Sequence, residues 1–406
     1  MYITELSLTD YRSYAQADVS LQPGSNVLVG RNGVGKTNLV EAIGYLATLS
    51  SHRVSNDQPL VRFGEPHALI RAQAMRGTQE TRIEVQITPG APNRASINRA
   101  NPVPARRIMG LLRTVLFAPE DLVLIKGDPE NRRRFLDELL GQLWPSQSTL
   151  TAEYDKVLKQ RNALLKSIRK AGGYAALPAF ESTLEVFDQH LAEAAARVLK
   201  GRLTVLDLLS PHLQASYDAL IDAHTPVSAV YQSTLKFHDR EEPAASTPAY
   251  LDHHRQLQSE LATATTAELA ELYRENFQRR RRPETERGIT LTGPHREDVL
   301  LHLGQAPAKG YASHGETWSY ALALRLASFE VLSEQEPGPA QRPILILDDV
   351  FAELDTGRRN RLAELATAAE QIIVTAAVAE DVPEQLAAHQ IKVRHPQEDE
   401  EGTQLS

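Results

Sequence analysis

Gly30-Arg31-Asn32-Gly33-Val34-Gly35-Lys36-Thr37 sets three glycines, a lysine and a hydroxyl in the order that wraps a polyphosphate. Glycines let successive backbone N–H groups turn inward around a β-phosphate. A helix opening near Lys36 adds the positive end of its dipole. Lys36 brings a point charge to the β- and γ-phosphates, and the Thr37 hydroxyl is an oxygen ligand for Mg²⁺. All eight residues are therefore expected nucleotide contacts, with Lys36 at a solvent-accessible phosphate site and not in a core. The flanks fit. Asn26–Val29 reads as a buried strand, and Leu39, Val40, Ile43, Leu46 and Ala47 recur on one helix face. A glycine turn before an ordinary helix is the bland alternative, and this context tells against it.

A phosphate loop needs a carboxylate on a neighbouring strand to hold the metal. Ile344-Leu345-Ile346-Leu347-Asp348-Asp349 supplies two acids at the carboxyl end of an apolar strand, where ligands bind in open parallel sheets. Asp348 is the expected metal-side carboxylate, shared with Thr37. Asp349 is placed to orient or deprotonate an attacking water, so the expected catalytic set is Lys36, Asp348 and Asp349. Ser313-His314-Gly315-Glu316 opens a further helix. Ser313 and Gly315 there make a natural anion site, against the plainer reading of an N-cap.

The elements that position these groups divide the chain. With 406 residues, 42% hydrophobic and 24% charged, it can bury a large core without staples. There are no cysteines, hence no disulfides or thiolate metal sites. The net charge is −8, so nucleic acid can be met only through local patches. The longest apolar run is about eight residues, far short of a membrane span, and no secretory signal is visible at the N-terminus. The expected localisation is cytoplasmic, with no membrane partner.

The first fifty residues read as strand, strand, loop, helix. Ala68–Met75 and Thr81–Thr88 read as strands around an Arg76-Gly77-Thr78 turn. From Ala91 to Phe117 there are five arginines and no acid: Arg94, Arg99, Arg106, Arg107 and Arg113. They are either a solvated face or a phosphate-contacting one. From about 121 to 287 the period is helical. One stripe runs Tyr154, Val157, Leu158, Arg161, Leu164, Leu165, Ile168, the arginine expected to cap or snorkel. After Gly172-Gly173 a second runs Leu184, Phe187, Leu191, Ala194, Val198, suggesting a helical hairpin too short for a long coiled coil. The expected organisation is an α/β lobe from 1–120 and 288–395, a mainly helical lobe at 121–287, and an acidic disordered tail at 396–406.

Taken with Phe117-Ala118-Pro119-Glu120-Asp121-Leu122, Lys126-Gly127-Asp128-Pro129, Arg132-Arg133-Arg134-Phe135-Leu136-Asp137, Lys159-Gln160-Arg161-Asn162, Gly293-Pro294-His295-Arg296-Glu297-Asp298 and Asp348 to Asp355, the chain resembles the RecF family of bacterial recombination mediators. The motifs stand in the family's order from residue 1 to about 395. The resemblance implies an ABC-type ATPase head of the SMC class, a P-loop mixed sheet with helices, with a helical lobe inserted. It implies ATP and Mg²⁺ as cofactors and a homodimer closed around two ATP molecules. Ser313 and Gly315 would reach the γ-phosphate of the opposite subunit, and Arg12 would lean over the nucleotide. It further implies weak, DNA-stimulated ATPase activity, binding to single-stranded and gapped or junction DNA, work with RecR, RecO and RecA in the RecFOR pathway, and roles in replication restart and SOS induction.

Three departures stand out. His314 and Glu316 replace the glutamines many members carry, and a glutamate near a γ-phosphate is unfavourable unless it faces away. Asp349 stands where glutamate is usual. Ala376, not histidine, follows the strand ending at Thr375, which leaves a hydroxyl as the nearest polar group. Slow turnover and a switch follow. The nucleotide-binding subunit of an ABC transporter is the alternative. His52-Arg53 could reach the nucleotide or cap the P-loop helix, Arg279 to Arg282 could meet DNA phosphates, and the histidines show no metal spacing.

Overall fold

The computed structural model describes residues 1–221, 224–235, 243–244, 247–334 and 342–394. The strands are β1 (Tyr2–Tyr11), β2 (Tyr14–Ser20), β3 (Gly24–Val29), β4 (Ala68–Arg76), β5 (Gln79–Ile87), β6 (Arg94–Ile97), β7 (Val103–Pro104), β8 (Thr114–Phe117), β9 (Val227–Gln232), β10 (Asp298–Leu303), β11 (Ala306–Pro307), β12 (Ile344–Asp348), β13 (Gln371–Ala376) and β14 (His389–Lys392). The helices are α1 (Lys36–Thr48), α2 (Leu122–Lys126), α3 (Pro129–Leu143), α4 (Leu150–Lys170), α5 (Glu181–Leu220), α6 (Pro248–Thr263), α7 (Thr266–Arg287), the single irregular turn α8 (Ala308–Tyr311), α9 (His314–Glu334) and α10 (Thr356–Ala366).

A five-stranded parallel sheet, ordered β14-β3-β13-β12-β8, forms the centre. β8, β12 and β13 are buried on both faces, as a doubly covered parallel sheet requires, while the edge strand β14 exposes Gln390 and Lys392. Leu28, Leu116, Ile344, Ile346 and Ile373 join one apolar cluster with α1 and the six-stranded antiparallel sheet β2-β1-β4-β5-β6-β7. Val27, Val115, Phe117, Leu345, Leu347, Ile372 and Val374 join another, with α3, α5 and α9. Residues far apart in the chain thus share one sheet: β3 lies against β13, and β8 against β12. Three strands precede the phosphate loop where the sequence suggests two, because β1 and β2 form a hairpin that buries its own alternating face.

The helical hairpin is present. Arg161 of α4 meets Asp188 of α5, and Glu153 meets Arg197, which fixes the antiparallel sense. The second stripe is buried at Leu184, Leu191, Ala194 and Val198, and α5 then continues to 40 residues against α7 and α9. Arg161 departs from expectation. It neither caps nor snorkels: its guanidinium is fully buried, donating to Asp188 (2.7 Å), Glu284 (2.7 Å) and Thr290 (2.8 Å), with Phe277 beneath it at 4.6 Å. Two acids from different helices neutralise it, which periodicity along one helix cannot reveal.

Residues 121–287 also carry a strand. β9 pairs with β10 in a three-stranded sheet, so the boundary expected at 288 falls between two strands of one sheet. The Gly-Pro-His-Arg-Glu-Asp segment stitches the helices to it. Glu297 is buried and accepts hydrogen bonds from Tyr231, Ser233, Thr234 and Tyr273. Arg132 forks onto Asp298 at 2.7 and 2.8 Å, and Arg202 onto Asp137 at 2.8 Å twice. The acidic tail expected at 396–406 lies outside the described residues.

Removing Arg161 alone leaves the buried Glu284 without an ion-pair partner among the described residues and Asp188 with only Arg281, at 3.3 Å. Arg161→Met should lower stability by about 3–5 kcal/mol, read as a fall in the urea midpoint. An unchanged midpoint would mean that the three charges are not coupled as the geometry indicates.

Candidate functional site

The phosphate loop leaves the carboxyl end of β3 and enters α1 at Lys36. Two of its glycines have specific reasons. Gly35 sits at φ 110°, and a Cβ there would lie 2.5 Å from the Tyr14 hydroxyl; a Cβ on Gly30 would lie 2.4 Å from the Val393 carbonyl. Arg31, Asn32 and Gly33 are exposed, and Val34 packs its side chain on the core. Lys36 departs from the expected solvent-accessible position. Only 4% of it is exposed, and its ammonium donates to the carbonyls of Gly30 (2.7 Å) and Arg31 (3.2 Å). The loop folds over the lysine and holds its charge at the centre of the turn.

Asp348 ends β12 beside this loop, brought there by the parallel pairing of β12 with β13 and of β13 with β3. One of its oxygens accepts from both Thr37 Oγ1 (3.3 Å) and Thr375 Oγ1 (2.6 Å). Thr375 in turn accepts from the Asp349 N–H at 2.9 Å. The hydroxyl in place of a switch histidine is therefore the hinge between the two acids. Burial lifts the Asp348 carboxyl to about 6; the Thr375 hydrogen bond opposes this, and the charges of Asp349 and Glu120 add to it. Glu120, in the Pro-Glu-Asp segment after β8, is exposed and acts on Asp348 only through its charge. Asp349 is half-buried at φ 52°, a left-handed conformation that aspartate tolerates better than most residues.

The donors fit Mg²⁺. Thr37 Oγ1 and Asp348 Oδ1 are 3.3 Å apart, close to the edge of about 2.9 Å that octahedral bonds of about 2.05 Å require. Among the described residues no group of three or more His, Cys, Asp or Glu side chains can hold a metal. Mg²⁺ would therefore complete its shell with phosphate oxygens and water.

Arg12 lies against α1. Its guanidinium clamps Glu41 of α1 at 2.5 and 2.8 Å and also reaches the Pro59 carbonyl. Arg53 returns to the first turn of α1, donating to Asn38 Oδ1 at 3.0 Å, so it does not cap the far end of that helix. His52 is turned inward beside Arg325, Phe135 and Glu138.

The Ser313 segment is a reciprocal N-cap of α9. Ser313 N–H donates to Glu316 at 2.8 Å, and Glu316 N–H to Ser313 Oγ at 3.3 Å. Glu316 is thus turned back on its own backbone, and the Ser313 hydrogen bonds hold its carboxyl below the usual range. Arg358 of α10 lies against the same turn: a Cβ on Gly315 would come within 2.7 Å of its Nη1. Asp355 caps α10, accepting from the Arg358 N–H at 3.0 Å. Within one chain, Thr37, Asp348 and Asp349 come together, while Ser313 and Gly315 make no hydrogen bond or ion pair to the phosphate loop.

The family model described as RecF/RecN/SMC N terminal domain matches residues 2–400. The DNA replication and repair protein RecF of Arthrobacter sp. (strain FB24) is 55% identical over 397 residues, covering 97% of each chain. That of Pseudarthrobacter chlorophenolicus is 54% identical over 404 residues, covering 99% of this chain and 100% of the relative. A solved structure of the recombination mediator protein RecF with ATP in the RecFOR pathway aligns with a TM-score of 0.80 at 26% identity, covering 97% of this chain and 96% of that one. The fold is that of an ABC-type ATPase head.

Raising the Asp348 carboxyl to about 6 from an ordinary 3.8 favours the protonated form in the folded state. Its contribution is fully present below pH 3.8 and is lost as pH rises through 6. In EDTA, Asp348→Asn should therefore stabilise the protein by up to about 3 kcal/mol at pH 8 and by little at pH 4. Thermal melts across this range test it; a pH-independent difference would contradict the burial argument.

Proposed function

The chain belongs to the RecF family, and on that premise we propose that it is an ATP-dependent DNA-binding switch. It would act in recombinational repair of single-strand gaps, helping to load the recombinase through the RecFOR pathway with RecR, RecO and RecA, and supporting replication restart and SOS induction. The observation that carries the reading is the shared acceptor at Asp348, which joins the phosphate-loop threonine to the hydroxyl behind the second acid. Thr37 and Asp348 would hold Mg²⁺, which would supply charge neutralisation on the phosphates of ATP; Lys36 would turn its ammonium from the loop carbonyls to the β- and γ-oxygens, and Asp349 would orient water. Cytoplasmic action fits this role, and among the described residues no helix is long and apolar enough to cross a membrane. The transporter alternative is not favoured, since the RecF relatives align over nearly the whole chain.

The proposed lobes are an ATPase lobe, 1–120 with 288–395, and a mainly helical lobe, 121–287. Ser313 and Gly315 are proposed to complete the phosphate site of a second copy. ATP should then drive dimerisation, and ADP should not. Ser313→Arg breaks a cap worth about 1 kcal/mol but leaves Lys36, Thr37 and Asp348 untouched, so the monomer should still bind ATP and fail to dimerise. Light scattering with ATP and Mg²⁺ decides it: a wild type that stays monomeric, or a variant that dimerises normally, would overturn the composite site.

Asp349→Asn keeps the shape of the side chain and removes its negative charge. Nucleotide binding should persist while hydrolysis falls by roughly 10²-fold or more. Phosphate release under saturating ATP measures this, and an unchanged rate would move the water-orienting role to another residue.

A further inference from the structure

Two arginine-rich segments compete for the role of phosphate contact, and the structure separates them. In the run from Arg279 to Arg282, Arg279 pairs with Glu275 and Arg282 with Glu286. Arg281 is drawn inward onto Glu181, Glu185 and Asp188. A phosphate arriving there must displace carboxylates from three of the four side chains. Arg94, Arg99, Arg106 and Arg107 are different. All four are exposed, and they make no ion pair among the described residues. No acid occurs between Ala91 and Phe117 to neutralise them. The fifth arginine of the stretch, Arg113, is buried and belongs to the interior.

The four are gathered at one edge of the antiparallel sheet. Arg94 of β6 stands opposite Pro104 of β7. The Ala105 N–H then donates to the Asn93 carbonyl at 3.1 Å, which starts the 3₁₀ turn carrying Arg106 and Arg107 next to Arg94. Ala105 and Ile108 are buried and anchor that turn, leaving the two arginines outward. Arg99 is at the tip of the β6–β7 connection. There the Ala100 N–H donates to the Ile97 carbonyl at 3.0 Å, closing a turn whose central residues, Asn98 and Arg99, have φ of 52° and 62°. Glycine is the residue that takes the second of these positions with least strain. An arginine there accepts backbone strain and gains a guanidinium at the tip. The tip is braced: Asn98 Oδ1 accepts from the Arg82 N–H at 2.8 Å, and Ser96 Oγ donates to the Ala100 carbonyl at 2.7 Å.

Beside this edge the outer sheet face forms a shallow trough of about 540 Å³, lined by Ser7, Gln73, Ser96, Arg71, Arg82 and Arg99. Its acids are Glu5 and Glu84, the latter held by Arg71. The face offers hydrogen-bond donors over an extended, rigid surface. Among the described residues the trough's own lining carries no aromatic ring on which a base could stack. Single strands are held by stacking as well as charge; a donor-rich face without rings suits a duplex backbone.

We infer that the β6–β7 edge of the antiparallel sheet docks the sugar–phosphate backbone of duplex DNA, with Arg94, Arg99, Arg106 and Arg107 each meeting a phosphate. The inference rests on the DNA-binding reading above and names the surface that serves it. Because the arginines meet phosphates, binding there is independent of base sequence and steeply dependent on salt. It also reconciles DNA binding with a net charge of −8, since the charge is local.

The test is fluorescence anisotropy of the full chain with ATP and a labelled duplex at several salt concentrations. For the Arg94→Gln/Arg99→Gln/Arg106→Gln/Arg107→Gln protein, the slope of log K against log salt should become shallower by about 0.9 for each phosphate no longer neutralised, about 3 to 4 in all. Affinity should fall, while ATP binding and the melting temperature stay as in wild type. Arg106→Gln/Arg107→Gln, which leaves the strained turn intact, should remove about half of that slope. Arg279→Gln/Arg280→Gln/Arg282→Gln should leave it unchanged. An unaltered slope in the fourfold variant overturns the surface, as does a loss seen with single-stranded DNA and not with duplex. A wild type that binds no DNA would instead overturn the DNA-binding reading, and the surface with it.

Discussion

A single buried carboxylate oxygen organises the phosphate end of this protein. Asp348 Oδ1 accepts from Thr37 on one side and from Thr375 on the other. Each donor stands on a different element: Thr37 on the first turn of α1, Thr375 on β13, Asp348 at the end of β12. They meet only because β3, β13 and β12 are consecutive parallel strands whose carboxyl ends are level. A slip of either strand would break these hydrogen bonds and reverse the apolar faces that cover the sheet on both sides. The fit of the core and the fit of the site are thus one constraint.

The same arrangement gives physical content to the absent histidine. A histidine beyond β13 would bring a titratable donor to the γ-phosphate. Thr375 instead ties the backbone of Asp349 to the side chain of Asp348, and Asp349 adopts a left-handed backbone to meet it. Movement of either acid is felt by the other through one hydroxyl. That coupling is what the proposed nucleotide switch would draw on.

Arginine does two separate jobs in this acidic chain. Inside, Arg132, Arg161, Arg202 and Arg325 each make charge-assisted hydrogen bonds to carboxylates carried by another element. Their burial is tolerated because the acids come with them, and breaking one such pair is far worse than never having built it. Outside, four arginines at one sheet edge make no ion pair among the described residues. A count of charges along the chain does not separate the two kinds, because the partner of Arg161 is 27 residues away in one case and 123 in the other.

The phosphate loop, the apolar strands around it, the two acids after β12 and the helical hairpin were all legible in the sequence, because each is a local pattern: glycines at fixed spacing, β-branched runs, stripes at three and four residues. The Ser313 segment was legible as an N-cap, and its glutamate as a group that had to face away; the reciprocal hydrogen bonds show how it does so. What tertiary structure alone decided was partnership. It buried Lys36 under its own loop, gave Arg12 to Glu41, sank Arg161 among acids from two other helices, and joined β9 to a strand 66 residues further on. It also showed which arginine cluster is already neutralised. Local pattern sets what a residue can offer, whereas burial and charge compensation are set by whatever the fold brings alongside, over distances in sequence that no periodicity spans.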